Sequence, residues 1–240
     1  MKRKYMIFAA AAIFMGIAII ASTVLFNAVS GIKQPVSSTR SCSEQGNNIE
    51  IYDTKPISDA FAAKDSSSLS DFDKKIYSKA VEIYSKIITD DMTIYDKELA
   101  VHDYMVKNIS YDAGNMGIEE KTDENSVNPY GALINGKAIC SGYTSTFKMF
   151  MDMLDIENTV VSGKNDKGEE HAWNMIKLDG EWYHVDVTWD DPIPESEQTG
   201  ILHKYFNVTD KELINNRHTW DKSGYPSANA DKYAFKGIEI

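Results

Sequence analysis

Cysteine is scarce in this chain. Only Cys42 and Cys140 occur in 240 residues, so no disulfide framework exists and a packed core must carry the fold. Basic charge is also in short supply. Lys and Arg number 25 against 36 Asp and Glu, a formal net charge of −11. Lys2, Arg3 and Lys4 account for three of those basic residues, which leaves the remainder more acidic still. Such a surface repels phosphate backbones, which excludes nucleic acid as the main partner. No internal repeat, HExxH zinc pattern or calcium loop is present. Thr39-Arg40-Ser41 ahead of Cys42 does not form a lipoprotein acylation box, and Cys42 reads as an incidental linker residue.

What is present is globular in kind. Hydrophobic residues make up 42% and aromatics 11%, enough to fill a core. The exception is the N-terminus, where an almost unbroken apolar run from Tyr5 to Val29 follows the basic tip at residues 1–4. That run has the length needed to cross a bilayer, and the three cations keep the tip in the cytoplasm and send the rest outward. The segment reads either as a single-pass anchor or as a signal peptide cut after Ser30, with Ala28 and Ser30 as its small residues. Both readings place the remainder outside the membrane, anchored or secreted.

Residues 30–69 read as a flexible stalk rich in Ser, Thr, Gln, Asn and Gly, with Ile49–Tyr52 as a short strand. A catalytic domain is expected over 70–240. Ser70 followed by Asp73 suits a helix cap, and Phe72, Ile76, Ala80, Ile83, Tyr84 and Ile87 recur at helical spacing. A second helix opens near Thr93 or Asp96 and carries Leu99, Val101, His102, Met105 and Val106. From Cys140 onward, Tyr143, Phe147, Phe150, Met151 and Leu154 form one helical stripe. Strands follow over 159–162, 171–178 and 181–189, the last two joined by Asp179-Gly180, a two-residue hairpin signal. Helices first and antiparallel strands after predict an α+β fold.

The hairpin brings chemistry together. With Asp179 and Gly180 as the loop, Leu178 pairs with Glu181, His171 lies opposite Thr188 and Trp173 opposite Asp186. His171 and Asp186 then share a face as diagonal neighbours. Cys140 at a helix N-terminus sits where the dipole favours thiolate. An imidazole can take its proton, and a carboxylate on the far ring nitrogen orients that ring. A buried cysteine is more often a plain hydrophobe, but Asp186 between two valines needs a partner. A metal on His171, His184 and Asp186 is the weaker alternative, since no tight ligand spacing supports it.

Gly136-Lys-Ala-Ile-Cys140-Ser-Gly-Tyr143, then His171-Ala-Trp173-Asn, then Trp182-Tyr-His-Val-Asp186-Val-Thr188 resemble the core of the transglutaminase-like superfamily over residues 70–191. The tail resembles the ends of bacterial members. The resemblance implies a papain-like fold of helices packed on an antiparallel sheet, with Cys140 as nucleophile, His171 as general base and Asp186 as orienting acid. It implies Tyr111 as an oxyanion donor, while Trp173 and Trp182 line the substrate cleft or pack in the core. It implies thiol-dependent transglutaminase, deamidase or peptidase chemistry on proteins or peptides; the location outside the membrane points to cell-wall or surface proteins as substrates, and no cofactor or metal is expected. A catalytically idle, surface-anchored binding module is the alternative. His218-Thr-Trp220 is assigned no chemistry.

Overall fold

Ser70 and Thr93 start helices as their side chains dictate. In the computed structural model, which describes residues 49–116, 123–191 and 200–237, α2 spans Asp71–Ile87 and the Ser70 hydroxyl accepts the Asp73 amide at 3.0 Å. α3 spans Ile94–Asn108 behind a reciprocal cap, with the Asp96 amide on Thr93 Oγ1 and the Thr93 amide on the Asp96 carboxylate. Each cap satisfies amides that a helix start leaves without an internal partner. The basic tip, the apolar segment at 5–29, residues 30–48 and Cys42 lie outside the described residues. No helix among the described residues is long and apolar enough to cross a membrane.

The expected stalk ends earlier than residue 69. Lys55–Ala63 form α1, whose Ile57 and Ala60 are buried and which packs on α2 and α4. Pro56 in the first turn fits a helix start, and Lys64 closes the helix with a positive φ of 54°. So short a helix, bounded by a serine run, leaves little periodicity to read. Ile49–Tyr52 form no strand.

β1 (Ser110–Tyr111) and β2 (Lys137–Ala138) make a short parallel pair that delivers the chain to α4, Cys140–Met153. The main sheet is antiparallel, in the order β5-β4-β3-β6, with β3 at Asn158–Lys164, β4 at Glu170–Leu178, β5 at Glu181–Val185 and β6 at Thr219–Trp220. The hairpin register is the expected one, from Leu178↔Glu181 to Asn174↔Val185. Asp179 (φ 51°) and Gly180 (φ 86°) both adopt positive φ, the conformation a type I′ turn requires. The ladder stops four residues before the expected end. Asp186 donates its amide to Tyr205 O at 3.0 Å, and residues 186–191 coil into a turn, so Trp173↔Asp186 and His171↔Thr188 are not ladder pairs.

Both faces of β4 are buried. One carries Ile176, Leu178, Tyr183, Val185 and Val187 against the helices. The other carries Val161, Trp173 and Met175 under Tyr205, Val208 and Leu213 of the C-terminal segment, where α5 spans Asp210–Asn215. α4 lies at the centre, in contact with α1, α3, β3 and β4. Its burial is not confined to the apolar stripe, since Ser141, Gly142, Thr144, Ser145 and Thr146 are buried as well.

Gly142 is one of the tightest points. A Cβ there would stand 2.2 Å from the Ser126 carbonyl oxygen and 2.9 Å from the Ala138 Cβ. Alanine at an ordinary helical site gains about 1 kcal/mol over glycine, whereas forced overpacking costs about 1–3 kcal/mol, and this overlap is with backbone. Gly142→Ala is therefore expected to lower the denaturant midpoint at unchanged slope. A midpoint equal to or above wild type would refute the close approach.

Candidate active site

Cys140 is the first residue of α4, preceded by the extended Ile139, and no side chain caps this helix start. It is 9% exposed. Across from it, β4 presents His171, and two ties fix the spacing. Thr144, one turn along α4 from the cysteine, donates its hydroxyl to Ala172 O at 2.9 Å, and Asn174 donates its side-chain amide to Thr144 O at 3.2 Å. These bonds anchor the strand just after the histidine.

His171 Nε2 lies 2.7 Å from Asp186 Oδ2, and Cys140 is near enough to act on the charge of the same ring. With Nε2 committed to the carboxylate, Nδ1 is the nitrogen left for the sulfur. Burial disfavours the charged ring, but the Asp186 charge, the bond to it and the cysteine outweigh burial and raise the ring to about 10. Asp186 moves the opposite way. Burial pushes its carboxyl up, yet the charge and hydrogen bond of His171 together with His218 hold it down at about 2.

His218 is the residue that sequence reasoning missed. Its Nε2 reaches the same Asp186 oxygen at 3.0 Å, while its Nδ1 is buried without a hydrogen-bond partner among the described residues. Nε2 is then the nitrogen placed to donate to the carboxylate. The only sequence hint was a histidine beside aromatic Trp220.

The turn after β5 is held by three buried carboxylates. Asp186 joins β4, Asp190 meets His102 Nε2 of α3 at 3.1 Å, and Asp191 accepts the Tyr143 hydroxyl of α4. Asp186 Oδ1 also accepts the Trp189 amide at 3.2 Å, and Asp190 the Tyr205 amide at 3.0 Å. Buried carboxylates persist when their lone pairs are filled in this way.

Tyr111 is brought alongside, since β1 pairs it with Ala138, two residues before the cysteine. Burial, then the charges of Cys140, Glu169, Asp112 and Asp186, push its phenol up to about 12, so the hydroxyl keeps its proton. The tryptophans do not line a cleft. Trp173 is 1% exposed and donates its indole N–H to His184 Nδ1 at 3.0 Å. Its ring stacks at 5.7 Å on His171, which supports the histidine from below. Trp182 is half-buried near the hairpin tip, paired with Lys177, and four strand positions place it about 13 Å from Asp186. His184, considered with His171 and Asp186 as a metal ligand, instead places Nε2 3.0 Å from Asp210. Burial is the leading cause that lowers it to about 4, so it stays neutral, Nε2 donating to Asp210 and Nδ1 accepting from Trp173.

A cavity of about 810 Å³ lies elsewhere, lined by Thr93–Tyr95, Asp155–Glu157, the hairpin tip and Lys232–Lys236. No member of the Cys140, His171 and Asp186 set lines it, and size alone does not outweigh the hydrogen-bonded geometry.

Residues 81–187 match the family model for the transglutaminase-like superfamily. Kyphoscoliosis peptidase of Homo sapiens is 24% identical over 158 residues, 60% of this chain and 23% of the human protein. The Mus musculus protein of that name is 22% identical over the same length and shares. The chain thus spans less than a quarter of the length of these curated relatives. Among solved structures, one described as a TGase shares 20% identity over 57% of this chain and 38% of its own, with a TM-score of 0.41. An arylamine N-acetyltransferase of Bacillus cereus shares 17% over 50% and 49%, at 0.32. The matched segment begins within α2 and closes just past Asp186, so the part of this chain that is similar to the transglutaminase-like superfamily contains the cysteine helix and the whole hairpin.

Proposed function

We propose that this chain is a thiol-dependent enzyme of transglutaminase, deamidase or peptidase type, with Cys140 as nucleophile, His171 as base and acid, and Asp186 as orienting carboxylate. One observation carries the reading: the His171 ring is bonded at one nitrogen to a buried carboxylate, 2.7 Å away, and faces a helix-start sulfur with the other. That is the wiring of a nucleophile, a base and an orienting acid.

The steps follow from the geometry. His171 takes the Cys140 proton, and the thiolate attacks an amide carbonyl, whose electron pair moves onto oxygen. The Cys140 amide at the uncapped start of α4 and the Tyr111 hydroxyl are the donors placed to meet that oxyanion. Collapse breaks the C–N bond, and the leaving amine takes its proton from His171. An incoming amine then resolves the thioester into an isopeptide, or water resolves it into an acid. The printed name of the human relative, a peptidase, favours water. His218 and Trp173 position Asp186 and the ring without touching substrate.

The apolar run at 5–29 supports work on the outer side of a membrane, anchored or released, with cell-wall or surface proteins as substrates. A second reading, an idle binding module, draws on the small exposure of Cys140, 9%. Alkylation separates the two. An enzyme's Cys140 reacts with iodoacetamide at pH 7 faster than the unfolded chain does, and His171→Ala abolishes the difference. Equal rates would leave the binding module.

The decisive experiment incubates the full chain with a glutamine-peptide library, with and without a primary amine, and weighs the products. Cross-linked, deamidated or cleaved peptides are expected from wild type, and none from Cys140→Ala. The same products from that variant would defeat the assignment.

The pH dependence has a defined sign. His171 sits above its ordinary value, so its imidazolium persists until the pH passes about 10. Asp186→Asn removes the main stabiliser of that charge, and the alkaline limb of the rate profile should move down toward about 6.5. Turnover should fall by a factor on the order of 10³–10⁴. An unmoved limb would show that Asp186 does not act through the ring.

A further inference from the structure

A second histidine cluster lies apart from Cys140 on α3. His102 Nδ1 is 3.0 Å from Asp103 Oδ1, and His203 Nε2 is 2.8 Å from that same oxygen. All three ligand atoms fall within 4.8 Å of one another. From this arrangement we propose a zinc site formed by His102 Nδ1, Asp103 Oδ1 and His203 Nε2.

The donor set selects the ion. Two imidazoles and one carboxylate suit zinc, whereas calcium and magnesium take oxygen shells. Zinc bonds of about 2.0–2.2 Å put tetrahedral ligands about 3.3 Å apart, so the two contacts to Asp103 open by a few tenths of an ångström and the two histidine nitrogens, within 4.8 Å of one another, adjust to the same spacing. The ion takes the place of the proton on His102 Nδ1.

Support behind the ligands is the stronger argument. Metal-bound histidines hold their other ring nitrogen on a carboxylate or carbonyl. His102 does so here, with Nε2 3.1 Å from Asp190 Oδ2, both side chains fully buried. Asp190 is fixed in turn by the Tyr205 amide. Aromatic rings wall the site, Phe206 at 4.8 Å from the His102 ring and Phe235 stacked at 3.7 Å on His203. The Asp103 side chain, 33% exposed, leaves an open flank for entry and for a water as fourth ligand.

The other cluster of this type, His171, Asp186 and His218, lacks that support. Each of its residues is at most 3% exposed. Among the described residues, neither histidine of that cluster sets its second ring nitrogen on a second carboxylate as His102 does on Asp190. Zinc bound at the first cluster would clamp α3 to the turn that carries Asp186, because the Asp190 amide donates to Asp186 O at 3.2 Å.

The test titrates zinc into the full, chelator-stripped chain against a competing chelator, and repeats the titration with cobalt for its spectrum. Expected are stoichiometric uptake with Kd at or below about 10 μM, a cobalt spectrum free of thiolate charge transfer, and a Tm that rises with zinc. His203→Gln and Asp103→Asn should each weaken binding at least 10-fold, and Asp190→Asn about 10–100-fold. His218→Gln should leave it unchanged. Wild type binding weaker than about 1 mM overturns the proposal, whether or not any variant folds. So does a thiolate band in the cobalt spectrum, or loss of binding in His218→Gln with retention in Asp103→Asn.

Discussion

Three carboxylates within six residues are withdrawn from water at the end of β5, and the rest of the site depends on how they are satisfied. Asp186, Asp190 and Asp191 are at most 6% exposed. Each is tied to a different element: Asp186 to β4, Asp190 to α3 and Asp191 to α4. A buried charge left without its partner costs several kcal/mol, so the turn cannot drift without breaking contacts on three sides. That rigidity holds Asp186 in place although it lies beyond the last ladder pair of its strand.

The cysteine is fixed separately. α4 is buried on nearly all sides, and Thr144 bonds its second turn to the carbonyl beside His171. Sulfur and imidazole are thus set by the packing of helix on sheet, and imidazole and carboxylate by the turn. The two constraints meet only at the His171 ring, whose two nitrogens face the two systems.

Much of this was legible because it was local. Ser70-Asp73 and Thr93-Asp96 are caps written within four residues, and Asp179-Gly180 dictates a register that places every residue of the hairpin. The hairpin cue put His171 and Asp186 on one face, and Cys140 was joined to them through its helix-start position and the family resemblance. What escaped depends on distant chain. His218 meets Asp186 across 32 residues of sequence, and nothing near it carries a periodic pattern. Trp173 was left between cleft and core by the resemblance, and the C-terminal segment that covers its face buries it. β5 was read too long because Val187 and Trp189 continue the strand-like alternation, while the hydrogen bonds after Val185 turn to Tyr205 instead. The stalk was read too long for the opposite reason, as one short helix with a proline at its start shows almost no pattern.

The family core closes at residue 187, yet the second face of the sheet is covered by residues that come later. A chain emerging from the ribosome would expose its cysteine, histidine and aspartate together well before His218, Tyr205 and Trp220 were available to enclose them. Until those last residues arrive, Trp173 and Met175 face solvent and Asp186 has one imidazole instead of two. In chain order, Cys140, His171 and Asp186 therefore come first, and the residues that enclose them come last.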